Sequence, residues 1–233
     1  LKPFSAPKFE LRDKFQMCIS AVPKPPPSAI PFNALAGPVH PQFPSREWNG
    51  LAILGEAPSR QEAISGVPFV GPAGDLLNEL LERAGIERDA TFLMNPFMYQ
   101  PVWTPLDNNT RRNNDILNFF TKDVAQANTM IHAGATYRSQ YVKSSNADDL
   151  RYAWKTLHFL KPKAILAMGA TALWFATGHD RIGEFRGKPQ STPIVPDVPV
   201  IPTFHTAFAL YRNREQTVLD TMVEDIELAK NYL

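Results

Sequence analysis

The sequence predicts a single α/β domain with a central, mostly parallel four-stranded sheet flanked by helices. Three observations carry that expectation. Four short apolar runs each stop at a glycine, a proline or a polar side chain, as strands do where they give way to loops. Stretches with apolar residues at helical spacing separate or follow these runs. A chain of 233 residues, 44% of them hydrophobic, is enough to fill one core.

Taken in order, residues 1–48 form a proline-rich arm, with Pro23, Pro25, Pro26 and Pro27 close together, and a short helix is expected at residues 9–19. Leu51–Leu54 is the first strand. It runs into Gly55-Glu56-Ala57-Pro58, which presents a carboxylate at a strand end. Phe69 follows on a stiff loop rich in glycine and proline. Leu76, Leu77, Leu80, Leu81 and Ala84 then mark a helix. Residues 91–94 make a second strand that stops at Asn95-Pro96. A turn-rich insertion covers about residues 105–148, with Arg111 and Arg112 as cationic candidates.

Leu150, Ala153, Trp154, Leu157 and Leu160 give an amphipathic helix ending at Lys161-Pro162. Residues 164–168 are a buried third strand closed by Gly169-Ala170, and residues 171–176 a short helix. A basic turn carries Arg181, Arg186 and Lys188. Residues 198–204 are the fourth strand, interrupted by Pro199 and Pro202 and finishing on His205. Residues 214–233 close the chain as a helix with Leu219, Met222, Ile226 and Ala229 inward.

Composition excludes several classes. A formal net charge of +1 argues against a nonspecific polycationic binder, while leaving room for a local basic face. The single cysteine, Cys18, excludes an internal disulfide and any cysteine-only metal site, and fits a reducing, cytoplasmic home. The longest apolar run, residues 164–176, is too short and too interrupted to span a membrane, and no charged-then-apolar segment opens the chain. No metal, no cofactor and no membrane partner is expected, and the chain is expected to act as a monomer.

In parallel sheets ligands bind beyond the carboxyl ends of the strands. Glu56, Asn95 and His205 stand at three of those ends, and the small Gly169-Ala170 at the fourth. The sequence has no phosphate-binding GxxxxGK[ST], no GxGxxG and no GxSxG, and its five histidines lack metal-ligand spacing. A carboxylate can activate water, an imidazole can stabilise a developing negative charge, and an amide beside an aromatic ring can read a planar heterocycle. Together these groups suit hydrolysis of a base from its sugar.

The segments GEAPSRQEAISGVPFVGPAGDLL, FLMNPF, KPKAILAMGATAL, RIGEFRGK and VIPTFHTAFALYR resemble, in order and spacing, those of the uracil-DNA glycosylase superfamily, and look most like its family 4. The likeness runs from about residue 50 to the end of the chain apart from the insertion, making residues 49–233 the expected glycosylase domain. It implies that Glu56 orients or activates the attacking water, that the Ala57 backbone and Phe69 hold the flipped base, and that Asn95 reads its edge. It also implies that His205 bonds the base oxygen that becomes anionic. Residues 207–210, with Phe208 and Leu210, resemble the loop that wedges into the DNA stack. Arg186, Lys188, Thr206 and Arg212 are further candidates for DNA contact. Each residue also has an ordinary structural role open to it: a helix cap for Glu56, a core ring for Phe69, a turn cap for Asn95, a structural histidine for His205, and solvated surface for the basic residues.

The chain departs from family 4 where that family places four cluster-binding cysteines. Tyr99 and Asp149 fall at or near two of those positions, and only Cys18 remains near the N-terminal pair. Ser59, Ala63 and Thr206 replace a usual glycine, a frequent aspartate and a proline around the pocket. Asn95 alone does not choose between uracil and cytosine, because its amide turned over matches either. The expected function is a monofunctional DNA glycosylase that leaves an abasic site, with uracil the default base. The alternatives are a glycosylase for a bulky modified pyrimidine in phage DNA, acting in defence, a noncatalytic DNA- or nucleotide-binding module, and a hydrolase of free nucleosides.

Overall fold

A computed structural model describes residues 33–105, 112–130 and 134–233, with the side chains of residues 103–105 and 112–114 left aside. The helix expected at residues 9–19, Cys18 and Arg111 lie outside the described residues. Strand β1 (Ala34–Ala36) precedes β2 (Leu51–Leu54), which is buried at every position. Helix α1 (Arg60–Ser65) and helix α2 (Pro72–Arg83) lead to β3 (Phe92–Met94). Strands β4 (Gln100–Pro101) and β5 (Trp103–Pro105) lead into the insertion, which contributes β6 (Arg112–Asn114), β7 (Phe120–Thr121) and β8 (Tyr141–Val142). Helix α3 (Ala147–Leu160), β9 (Ala164–Met168), α4 (Ala170–Thr177), α5 (Ile182–Phe185), β10 (Val200–Thr203), α6 (Thr206–Tyr211) and α7 (Gln216–Lys230) complete the order.

The four central strands run in the order β10-β9-β2-β3, and every pair is parallel. The chain goes from β2 outward to β3, then returns on the other side of β2 to β9. The crevice between the carboxyl ends of β2 and β9 is therefore the point where strand order reverses, the usual ligand position in open α/β sheets. Leu51 and Ile53 pack with Leu76, Leu77 and Leu80 of α2 and Met222 and Ile226 of α7 on one face. Ala52 and Leu54 pack with Leu157 of α3 and Trp174 and Phe175 of α4 on the other. Both faces are covered, which is why β2 and β9 read as unbroken apolar runs rather than as alternation.

Strand β10 tolerates Pro202 because it is a sheet edge, where a missing N–H removes little. The opposite edge, β3, is met by residues of the arm: Gln42 pairs with Leu93 and Phe43 packs edge-on against Phe92 at 5.2 Å. Asn33 of the same segment donates from Nδ2 to Asn118 O and Asn146 Oδ1, each at 2.8 Å, tying β1 to the insertion. The insertion is not irregular throughout. Antiparallel pairs β5-β6 and β7-β8 organise it, and β1-β4 joins the arm to the segment before it; all are too short to leave a periodic signal.

Candidate active site

The carboxylate of Glu56 leaves the end of β2, and its Oε2 accepts the Thr171 hydroxyl at 2.5 Å. Thr171 lies in the first turn of α4, directly after β9. The bond thus closes the crevice between the two central strands. Thr171 Oγ1 is also 3.1 Å from the hydroxyl of Tyr137 in the insertion.

Glu62 organises the side of the crevice that carries Phe69 and Asn95. It is 8% exposed and completes a capping box with Ser59 at the start of α1, its Oε2 accepting the Ser59 N–H at 2.7 Å. Its Oε1 accepts the Phe69 N–H at 2.6 Å and Asn95 Nδ2 at 3.3 Å. One carboxylate therefore fixes the Phe69 loop and the Asn95 amide together. Ser59, which replaces a glycine in the family pattern, is the helix cap, and this leaves Glu56 free of that duty.

Phe69 holds φ of 55°, a left-handed conformation unusual for a phenylalanine, and is 5% exposed. Two glycines make the arrangement possible. A Cβ on Gly74 would stand 1.9 Å from the Phe69 carbonyl oxygen, and one on Gly55 would meet Asn95 Oδ1 at 2.2 Å and the Phe69 ring at 2.8 Å. Gly55 thus lets the Asn95 amide and the Phe69 ring approach the strand end that carries Glu56. Ala57, half-buried beside it, packs against the core.

His205 caps α6, its Nδ1 accepting the Ala207 N–H at 3.2 Å. That acceptor role leaves the ring proton on Nε2, so the free nitrogen is a donor. A Cβ on Gly169, at φ 89°, would lie 3.1 Å from His205 Cβ, so the glycine after β9 makes room for the imidazole. Asn95, Glu56, Gly169 and His205 follow the ends of four adjacent strands in spatial order.

The DNA-contact candidates divide. Thr206 is fully buried, with no hydrogen-bond partner for Oγ1 among the described residues, so its side chain is withdrawn from the set. Arg186 is half-buried and tied to the fold. Its guanidinium binds Asp225 of α7 through Nε at 3.2 Å and a second nitrogen at 2.8 Å, and lies over the Phe204 ring. Asp225 is 1% exposed, and burial still raises its carboxyl against the pull of Arg186. Residues 206–211 form a helix rather than an open loop, and Leu210 packs toward the core. The side chains that this helix exposes are Phe208, 40% exposed, and Tyr211, 82% exposed. Arg212 is exposed and paired with Glu215, and Lys188 is exposed.

Sequence reasoning missed Thr171, Tyr137 and the hub role of Glu62. The spacing of Ser59 and Glu62 is a capping-box signature and was open to detection; the reach of Tyr137 was not. An apolar cavity of about 480 Å³ lies elsewhere, lined by Leu150, Trp154, Phe175 and Pro193 among others, and none of Glu56, Asn95 and His205 lines it.

Residues 49–227 match the model of the Uracil DNA glycosylase superfamily. The chain belongs to that superfamily, and with it to the DNA glycosylases, hydrolases of N-glycosyl bonds. It is 27% identical over 183 residues to a type-4 uracil-DNA glycosylase of Thermotoga maritima, covering 78% of this chain and 77% of the relative. A type-4 enzyme of Saccharolobus solfataricus is 28% identical over 190 residues, covering 78% and 71%. One of Pyrobaculum aerophilum is 46% identical over a shorter stretch of 52 residues, 22% of this chain and 26% of the relative.

The iron–sulfur cluster of family 4 does not fit this chain. Four thiolates are needed and the sequence has one cysteine. Where two would stand, Tyr99 is fully buried and the Asp149 carboxylate accepts the Met98 N–H at 3.1 Å. Burial pushes the Asp149 carboxyl up to about 7, against that hydrogen bond, and burial with the nearby Asp149 charge raises the Tyr99 phenol. Among the described residues no group of three or more His, Cys, Asp and Glu side chains is placed to hold a metal, and no helix is long and apolar enough to cross a membrane.

Proposed function

We propose that this chain removes uracil from DNA, hydrolysing the bond between the base and C1′ and leaving an abasic site. The observation that carries the choice of base is the Glu62–Asn95 contact. An ionised carboxylate accepts only, so the side of the amide facing Glu62 is the NH2. The Asn95 edge is then held as a donor beside an acceptor. That order complements O4 and N3–H of uracil and opposes the N4 donor and N3 acceptor of cytosine.

Chemistry follows from the strand ends. The nucleotide must leave the stack, at roughly a few kcal/mol, before base edge and C1′ are both accessible. Phe208 and Tyr211, exposed on the helix that begins directly after His205, are the rings available to fill the gap. The base meets Phe69 and Asn95, and the His205 Nε2–H faces its O2. As the C1′–N1 bond breaks, its electron pair passes to the base and is stabilised at O2 by that donor. A water bonded to Glu56 Oε1 then forms the new bond to C1′, and its proton goes to the carboxylate.

The experiment is base release and abasic-site formation from duplexes containing uracil, thymine, cytosine, hydroxymethylcytosine and glucosylated hydroxymethylcytosine. Free deoxyuridine serves as a comparison. Release of uracil alone, lost in Glu56→Ala and His205→Ala, is the expected result. Release of a modified cytosine alone, or binding with no release, overturns the reading.

A further inference from the structure

The insertion reaches the carboxylate on which the proposed hydrolysis depends. Tyr137, from the insertion, is 1% exposed, with its ring 4.9 Å from Phe120 and 5.9 Å from Trp174. Its hydroxyl is 3.1 Å from Thr171 Oγ1, which is 2.5 Å from Glu56 Oε2. A threonine hydroxyl has one proton, and an ionised carboxylate only accepts. The Thr171 proton therefore points at Glu56, and Tyr137 donates to Thr171.

We infer that Tyr137 and Thr171 are positioning residues for the proposed reaction, a hydrogen-bonded relay that fixes Oε2 of Glu56 and turns Oε1 toward the attacking water. This rests on the reading of Glu56 as the water-activating group. Glutamate has three rotatable bonds, and with Oε2 anchored its free oxygen is held in one direction. When Oε1 has taken the water's proton and Glu56 is neutral, the chain needs no rearrangement of heavy atoms. Both hydroxyls keep a partner throughout, and no proton has to leave the buried pocket.

The surroundings suit a phenol that stays protonated. Burial first, then the Glu56 charge, raises the Tyr137 phenol; Asp180 adds to this, while the Thr171 bond and Arg138, whose guanidinium lies 5.3 Å from the ring centre, act in the opposite sense. Tyr137 thus remains a donor across the range in which a glycosylase works.

Single-turnover uracil release is to be compared in the wild type, Thr171→Val, Thr171→Ser and Tyr137→Phe. Thr171→Val is expected to slow the chemical step about 10- to 100-fold with DNA affinity unchanged, and to move the acid limb of the pH–rate profile to higher pH. Thr171→Ser, which keeps the hydroxyl, is expected to stay within about threefold of wild type, and Tyr137→Phe to lose about three- to tenfold. A Thr171→Val enzyme with wild-type rate and acid limb overturns the relay. A second readout needs no activity. In 3-fluorotyrosine-labelled protein, the fluorine resonance absent from Tyr137→Phe should shift on Glu56→Gln, and that shift should be abolished in a Thr171→Val background. A resonance indifferent to Glu56→Gln overturns the relay even in a protein that releases no uracil. Conversely, the relay can hold while absence of uracil release from the wild type overturns the functional reading alone.

Discussion

Asn95 presents its Nδ2 to Glu62 Oε1 at 3.3 Å, and both side chains are buried. In the proposed reading, the amide orientation that selects the base is therefore set by a residue that need not touch the base. Glu62→Gln is the sharpest test. A glutamine can offer either an oxygen or an NH2, so Asn95 is free to turn over. Uracil release should fall about tenfold or more, and discrimination against cytosine should narrow. Losing a charged acceptor for the Ser59 and Phe69 amides should also cost about 1–3 kcal/mol of stability. Uracil kinetics unchanged in a folded Glu62→Gln protein would remove this account of base choice.

Glu56 and His205 should separate in their effects on rate. Glu56→Gln keeps an acceptor for Thr171 but loses the base, so kcat should drop about 10²- to 10⁴-fold with little change in DNA affinity. His205→Ala removes the donor to the developing anion and should cost about 10²- to 10³-fold. Single-turnover rates and binding isotherms on the same uracil duplex distinguish loss of chemistry from loss of binding.

The scaffold of this site was legible and its connections were not. Leu51–Leu54 and Ala164–Met168 have the expected bounds because both strands are buried on each face and read as plain apolar runs. Glu56, Asn95 and His205 could be placed at strand ends because each closely follows a short apolar run. The helices α1 and α6 escaped notice because six residues carry too little periodicity to be seen. Arg186 was taken for a DNA contact because a sequence shows a charge and not its partner; Asp225 lies 39 positions away. Thr206 was misassigned because a position between half-buried His205 and Ala207 gives no sign in sequence that its own side chain turns into the core. Tyr137 was unreadable because its partner is 34 residues away and the strands carrying the insertion are two or three residues long.

Asp149 should give the fold a visible dependence on pH. Burial pushes its carboxyl up to about 7 in the folded chain, well above the ordinary carboxylate range at about 4. The folded state therefore keeps a proton that the unfolded chain has already released between those values. Its contribution is fully present below about pH 4 and is lost as pH rises to about 7. A gap of that width corresponds to about 4 kcal/mol as an upper bound. Asp149→Asn retains an acceptor for the Met98 N–H and cannot ionise. Denaturant unfolding from pH 4.5 to 8 should show the wild type losing stability relative to this variant as pH rises; parallel curves would refute the assignment.

Arg186 and Lys188 should behave differently although two residues apart. Removing Arg186 leaves the Asp225 carboxylate buried without its cation, so Arg186→Ala should destabilise the fold by about 3–5 kcal/mol. Lys188 is exposed, and Lys188→Ala should leave unfolding unchanged. If Lys188 meets a phosphate, the variant should weaken DNA binding and reduce the slope of log K against log salt by about 1. Unfolding curves with the salt dependence of binding read both effects. An Arg186→Ala protein of unchanged stability would return that residue to the DNA surface.

Phe208 and Tyr211 carry the last expectation, because α6 exposes them while packing Ala209 inward. A wedge is needed only where a base must be drawn out of a stacked duplex. Phe208→Ala with Tyr211→Ala should therefore slow uracil release from duplex DNA by about tenfold or more, an amount in keeping with the few kcal/mol of unstacking that a filled gap offsets. Release from single-stranded DNA should change much less, since no partner strand has to be held apart. Equal losses on both substrates would mean that these rings pack against the nucleotide itself, and unchanged duplex rates would move the wedge to another part of the surface.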